Sequence, residues 1–251
     1  MRNQTMMTLR CLRAAFLLCV CPTLLHAADK NGAEERPWCD VFSVNKAELS
    51  DTGKNPYFFL WPGYKLRLQH GKETLVISVL DETKIVDGVK TRVVEERETK
   101  DGQLVEVSRN YFAISRVTGD VYYFGEDVDI YKNGKVSSHD GSWLAGVNGA
   151  QFGLMMPGRP GVGDRYHHEV APGVAMDRAE VVSLSEDFTT PRAAYERCLR
   201  VRETSGLEKG SADKLYAPDV GLIKDGALVL VAIDCPLCNG KKDMPAVPAT
   251  R

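Results

Sequence analysis

This sequence has few of the features that mark common enzymes and nucleic-acid binders. No two histidines stand four apart, as a helical zinc-protease motif requires. No Ser sits in a G-x-S-x-G elbow. Gly161-Val162-Gly163 lacks the third glycine and the following helix of a dinucleotide loop. Basic clusters are absent, and 32 basic residues face 34 acidic ones. That balance argues against nucleic acid and against an anionic membrane surface as partners. No ten-residue amphipathic helical pattern separates the extended runs, which excludes a βαβ architecture.

Long apolar runs are also missing, apart from one near the start. Arg2, Arg10 and Arg13 precede an apolar stretch from Ala14 to Leu25, which ends at His26-Ala27-Ala28. The stretch is about half the length that spans a bilayer. With no acid before Asp29, it reads as a secretory signal peptide, residues 1–27, cleaved near Ala27. Leu18 and Val20 precede Cys19 and Cys21 where a lipobox wants a small residue, so a lipoprotein is the weaker reading. The expected location is periplasmic or secreted, with no transmembrane segment in the mature chain. Loss of Arg2, Arg10 and Arg13 leaves 29 basic against 34 acidic residues, a net charge of −5.

Residues 28–54 are polar and read as a leader or linker, pinned at Trp38-Cys39. A β domain is expected over 55–233, and residues 234–251 form a tail carrying Cys235-Pro-Leu-Cys238. Within the domain, Asp87-Gly88, Asp101-Gly102, Asn133-Gly134 and Asp225-Gly226 are hairpin turn signals between β-rich flanks. Val121 to Phe124 is apolar on both faces, and Ala227 to Ile233 reads as a central strand. The fold class is therefore all-β with minor α, an antiparallel meander forming a curled sheet or barrel. Asp140 to Asp164 carries seven glycines and two prolines. It reads as a long loop over the barrel mouth or a sheet face, anchored by Trp143, Phe152, Met155 and Met156.

Aromatic side chains exceed what one small core face needs. Trp61, Tyr64, Tyr111, Tyr123 and Trp143, with Met155 and Met156, are candidate walls of an apolar ligand site. Four cysteines remain after cleavage: Cys39, Cys198, Cys235 and Cys238. In an exported chain these are disulfide candidates, in any of three pairings. His167 and His168, with Cys235 and Cys238, are the candidate metal ligands, copper or zinc. Adjacent histidines on a strand point to opposite faces, so one ion cannot take both without a bulge. Asp127 and Asp129 share a strand face, and a charged edge that deters aggregation accounts for them. His139, Asp140 and Ser142 are too close in sequence to form a triad.

Two stretches carry a resemblance. The first runs from Tyr57-Phe58-Phe59-Leu60-Trp61-Pro62-Gly63 through Val121-Tyr122-Tyr123-Phe124-Gly125 to Gly141-Ser142-Trp143, Gly146 to Ala150 and Met156-Pro157. The second is Thr190-Pro191 with Tyr195 to Leu199, then Tyr216-Ala217-Pro218-Asp219-Val220-Gly221-Leu222-Ile223. Together they resemble an uncharacterised family of bacterial secreted or lipid-anchored β-rich envelope proteins. The resemblance implies a lipocalin-like or lipoprotein-carrier-like curled sheet and no particular reaction. The expectation is a non-enzymatic protein, without cofactor, that binds a lipid, another apolar ligand or a protein partner. The alternatives are a metal- or thiol-linked periplasmic protein, and an enzyme whose site assembles only in three dimensions.

Overall fold

The computed structural model describes residues 36–236. Three two-residue strands open it: β1 (Leu49–Ser50), β2 (Lys54–Asn55) and β3 (Phe58–Phe59). A meander follows, with β4 (Lys65–His70), β5 (Glu73–Val86), β6 (Val89–Lys100), β7 (Gln103–Ser115) and β8 (Val121–Lys132). Five short pieces come next: β9 (Lys135–Ser138), β10 (Trp143–Leu144), β11 (Gln151–Met156), β12 (Arg165–His167) and β13 (Glu169–Val170). The meander then resumes with β14 (Asp177–Thr189), β15 (Ala194–Ser205), β16 (Ala212–Ala217), β17 (Gly221–Asp225) and β18 (Leu228–Asp234). Among the described residues the only helical element is a single 3-10 turn, Lys46–Glu48, so the expected minor α content is not found there.

Thirteen strands form one antiparallel path, in the order β12-β14-β15-β16-β17-β18-β4-β5-β6-β7-β8-β11-β13. Its two ends, β12 and β13, are separated in sequence by His168 alone. The sheet therefore curls until it nearly closes on itself, which leaves little exposed edge. The final apolar run is central as expected, with β18 between β17 and β4.

The turns follow the sequence closely. Asp87-Gly88, Asp101-Gly102 and Asn133-Gly134 all have positive φ at both residues, as two-residue type I′ hairpins require. The fourth is displaced by one residue. Asp225 pairs with Leu228 and stays in its strand, and only Gly226 of that dipeptide has positive φ.

The barrel's two ends differ. One carries the hairpins at 71–72, 101–102 and 226–227. Across the other lies the segment before β4. Asn55 Nδ2 donates to the carbonyls of Gly119 and Pro157, both at 2.9 Å. The amide of Asp219 donates to the Pro56 carbonyl at 2.8 Å, and the Tyr64 hydroxyl donates to the Val220 carbonyl at 2.7 Å. Phe59, Leu60, Trp61 and Tyr64 are buried beneath these contacts. The mouth is thus plugged by 53–64.

The Gly-rich stretch was expected to lie over the barrel mouth or a sheet face as a long loop, and the structure corrects the loop assignment. Part of it is strand: β10 pairs with β8 at Trp143↔Glu126, and β11 pairs with β8 at Gly153↔Tyr123. Glycine lets it serve as strand because neighbouring backbone comes very close. A Cβ on Gly153 would stand 2.4 Å from the carbonyl oxygens of both His167 and His168. The leader is likewise partly ordered. Cys39 forms a parallel bridge to Tyr166, and Trp38 is held between the guanidinium groups of Arg165 and Arg178, at 4.4 and 4.6 Å from its ring centre.

Candidate functional site

Strand register sorts side chains between inside and outside. Leu75 pairs with Glu98, Ile77 with Glu96, and Val79 with Val94. Glu98 pairs with Glu106, Glu96 with Ser108, and Val94 with Asn110. Since Leu75 and Val79 are core residues, these glutamates also point inward. The same logic places Glu203, Lys214, Tyr216 and Asp225 inside. The outer face carries Glu95, Arg97 and Arg109 on one side, and Arg200, Arg202 and Asp213 on another, as ion pairs. A lipid-facing barrel needs an apolar outer band instead.

The interior is therefore apolar toward the plugged mouth and charged toward the other end. Lys214 Nζ lies 3.0 Å from Glu203 and 3.5 Å from Asp225. His168 Nδ1 donates to the Leu154 carbonyl at 3.0 Å, and its Nε2 lies 3.3 Å from Glu203. Burial alone would raise the Glu203 carboxyl. Lys214 and His168 outweigh it and hold that group down at about 2. Burial opposes the charge on Lys214, but Asp225 and Glu203 keep it well above its ordinary value. Glu169 has no such cation. Burial, then the neighbouring Asp177, Glu126 and Glu203, push it well above the carboxylate range. One oxygen accepts from the Asp177 amide at 2.6 Å, while the other, Oε2, is buried with no partner.

An inner cavity of about 60 Å³ lies between Phe59, Tyr64, Ile77 and Met155 on its apolar side and Lys214, Asp225 and Glu96 on its polar side. Sites for drug-sized ligands span about 300–1,000 Å³. Larger space lies outside, at the seam where β8 and the closing strands meet. A groove of about 260 Å³ runs between two walls. Trp143, Leu144, Val147 and Ala150 form one wall, and the turn Ala171, Pro172 and Val174 forms the other. Its polar groups are Asp127, Ser142 and Asn148. The Ser142 oxygen accepts from the Val128 amide at 2.8 Å. Burial would raise the Asp127 carboxyl, but hydrogen bonds from Tyr111 and Lys84 lower it below its usual value, so it is ionised. Trp143 is 6% exposed, and its indole Nε1 is buried with no acceptor.

The aromatic and methionine candidates scatter. Trp61 and Tyr64 belong to the plug. Tyr123 is interior, stacked on Phe112, with its hydroxyl donating to Asn110 at 2.6 Å. Tyr111 faces outward, and its hydroxyl donates to Asp127. Met155 borders the internal cavity, and Met156 is wholly buried. Of the seven, only Trp143 lines the groove. The groove's remaining walls were missed by sequence reading, because Ala150, Ala171 and Val174 carry no chemical signature of their own.

The metal candidates separate as strand geometry demands. His168 points into the barrel, while His167 stands outside against Trp38, ring centres 6.0 Å apart. Among the described residues no group of three or more His, Cys, Asp or Glu could hold a metal. The disulfide expectation is corrected for Cys39 and Cys198, while Cys235 is disulfide-bonded. Cys39 and Cys198 are free thiols, and each of the three pairings of four cysteines would need both bonded. They sit on different parts of the wall, Cys39 in the leader at β12 and Cys198 inside β15. Burial, with Asp187 and Glu186 nearby, raises the Cys198 thiol to about 11, which makes it inert. Cys235 is not free, and Cys238 lies outside the described residues.

No family model, curated protein or solved structure matches this chain.

Proposed function

We propose that this is an exported, non-enzymatic binding protein of the cell envelope whose small ligand sits in the seam groove and not inside the barrel. The contrast in available space carries the reading: about 260 Å³ at the seam against about 60 Å³ within. A cavity of about 60 Å³ is small for an alkyl chain, so a lipid carried in it, as in a lipocalin-like protein, is disfavoured. The charged outer wall suits a protein surrounded by water, in keeping with a periplasmic or secreted location.

Non-denaturing mass spectrometry of the natively exported protein tests this. The expected result is a small adduct that dissociates on denaturation and is missing from Ala150→Trp, which fills the groove. A bare chain in both proteins would overturn the small-molecule reading and favour a protein partner.

A further inference from the structure

The groove lies where the sheet is not held by its own ladder. β12 and β13 end the strand path, and among the described residues no ladder joins them. β13 is held to β11 by two residue pairs, and β12 to β14 by three. We propose that residues 38–46 of the leader are a clasp across this seam, which holds the two groove walls at a fixed separation and lets the ligand go when it is undone. The proposal rests on the groove being the binding site.

The segment is anchored on each side of the seam. On one side Trp38 sits between Arg165 of β12 and Arg178 of β14. The Cys39 amide donates to the Arg165 carbonyl, and the Cys39 carbonyl accepts from the His167 amide, both at 2.9 Å. On the other side Phe42 packs edge-on against Tyr122 of β8, ring centres 6.1 Å apart. Lys46 Nζ reaches the β5–β6 turn, 2.7 Å from the Asp87 carbonyl and 2.8 Å from its carboxylate. Between these anchors Cys39, Asp40 and Val41 are exposed, so the segment is fastened at its ends and not buried along its length.

Each anchor also abuts the base of one groove wall. Arg178 follows Asp177, whose carbonyl accepts from the His168 amide at 2.8 Å and whose amide donates to Glu169 at 2.6 Å. Those bonds close the loop that carries Ala171, Pro172 and Val174. Asp87 packs on Gly146, where a Cβ would stand 3.3 Å from its carboxylate oxygen. The Gly146 amide donates to the Ala150 carbonyl at 2.9 Å, which closes the loop of the other wall. Neither Trp38 nor Lys46 lines the groove, so both are positioning residues.

The test combines amide exchange of the mature protein by NMR with titration of cyclohexanol against the Val147 and Val174 methyl groups. Trp38→Ala should speed exchange at Ala171, Val174 and Ala175 about tenfold, while amides of β6 and β7 stay within about twofold. It should also weaken cyclohexanol about fivefold. Trp38→Phe keeps a ring for both guanidinium groups and should restore both readouts to within about twofold. Lys46→Met, at a partly exposed side chain, should loosen Gly146 and Ala150 in the same way, and it carries the test if Trp38→Ala does not fold. Unchanged loop exchange, or faster exchange throughout the barrel, would overturn the clasp. Faster loop exchange with unchanged cyclohexanol affinity would overturn its control of the groove. Groove methyls that do not respond to cyclohexanol in the native protein, with loop exchange still raised in the variants, would overturn the binding site and leave the clasp standing.

Discussion

The meander and the seam are built on different principles. In the meander, β4 to β8 and β14 to β18, strands run from 5 to 14 residues and turns obey their own residues. In the seam, between 139 and 176, strands are two to six residues long and backbone packs on backbone. Glycine is used for turning in one region and for contact in the other. Gly134 has positive φ and open space around it, whereas Gly153 touches the carbonyls of His167 and His168. Local rules therefore suffice to build the scaffold. The candidate site arises where distant segments meet.

Charge links the two regions, and the largest expected effect tests that link. Glu203 on β15 is shared by Lys214 of the meander and His168 of the seam. Lys214→Met leaves Glu203 and Asp225 buried without their cation, at a cost of about 3–5 kcal/mol in urea unfolding. Meander and seam should then lose structure together. A transition confined to one region would break the link.

The glycines sharpen the comparison next. Gly153→Ala should cost about 3 kcal/mol, because the clash is with backbone that cannot rotate away. Gly134→Ala should cost about 1 kcal/mol, from conformational strain alone. Chemical denaturation of the two variants compares them directly, and equal costs would remove the distinction.

Acidity gives a smaller contrast of opposite signs. Glu169 in the seam has a folded pKa above its unfolded value near 4.3, so the folded state holds the extra proton. Stability should fall as pH rises from there through the folded value. Glu203 is lowered to about 2, so its contribution is present above about 4.3 and lost as pH falls toward 2. Glu169→Gln should flatten the decline on the alkaline side while leaving the acid side unchanged, as read from urea midpoints between pH 3 and pH 9. The smallest effect is chemical. In the native protein a thiol reagent should modify Cys39 readily and Cys198 only after unfolding.

The legibility of the sequence follows the same division. Three of the four Asp-Gly or Asn-Gly turns, the doubly apolar Val121–Phe124 and the central strand at Leu228–Asp234 could be read because each depends on neighbours in sequence. β11 could not be read, because Gly153 looks like a loop residue until the backbone it touches, at His167 and His168, is known. The inward placement of Glu169 and Glu203 was not read, since only strand pairing reveals it. Trp143 was legible as a candidate. The opposite wall, Ala171 to Val174, was not, because its role comes from position and not from chemistry.

The most direct measurement is methyl NMR of the mature protein during titration with cyclohexanol, a one-ring probe small enough to report any accessible apolar space. The account predicts shifts at Val147, Ala150, Ala171 and Val174, with none at Leu66, Ile77, Val79 or Leu222. Shifts at that second set would place the ligand inside the barrel and contradict the account.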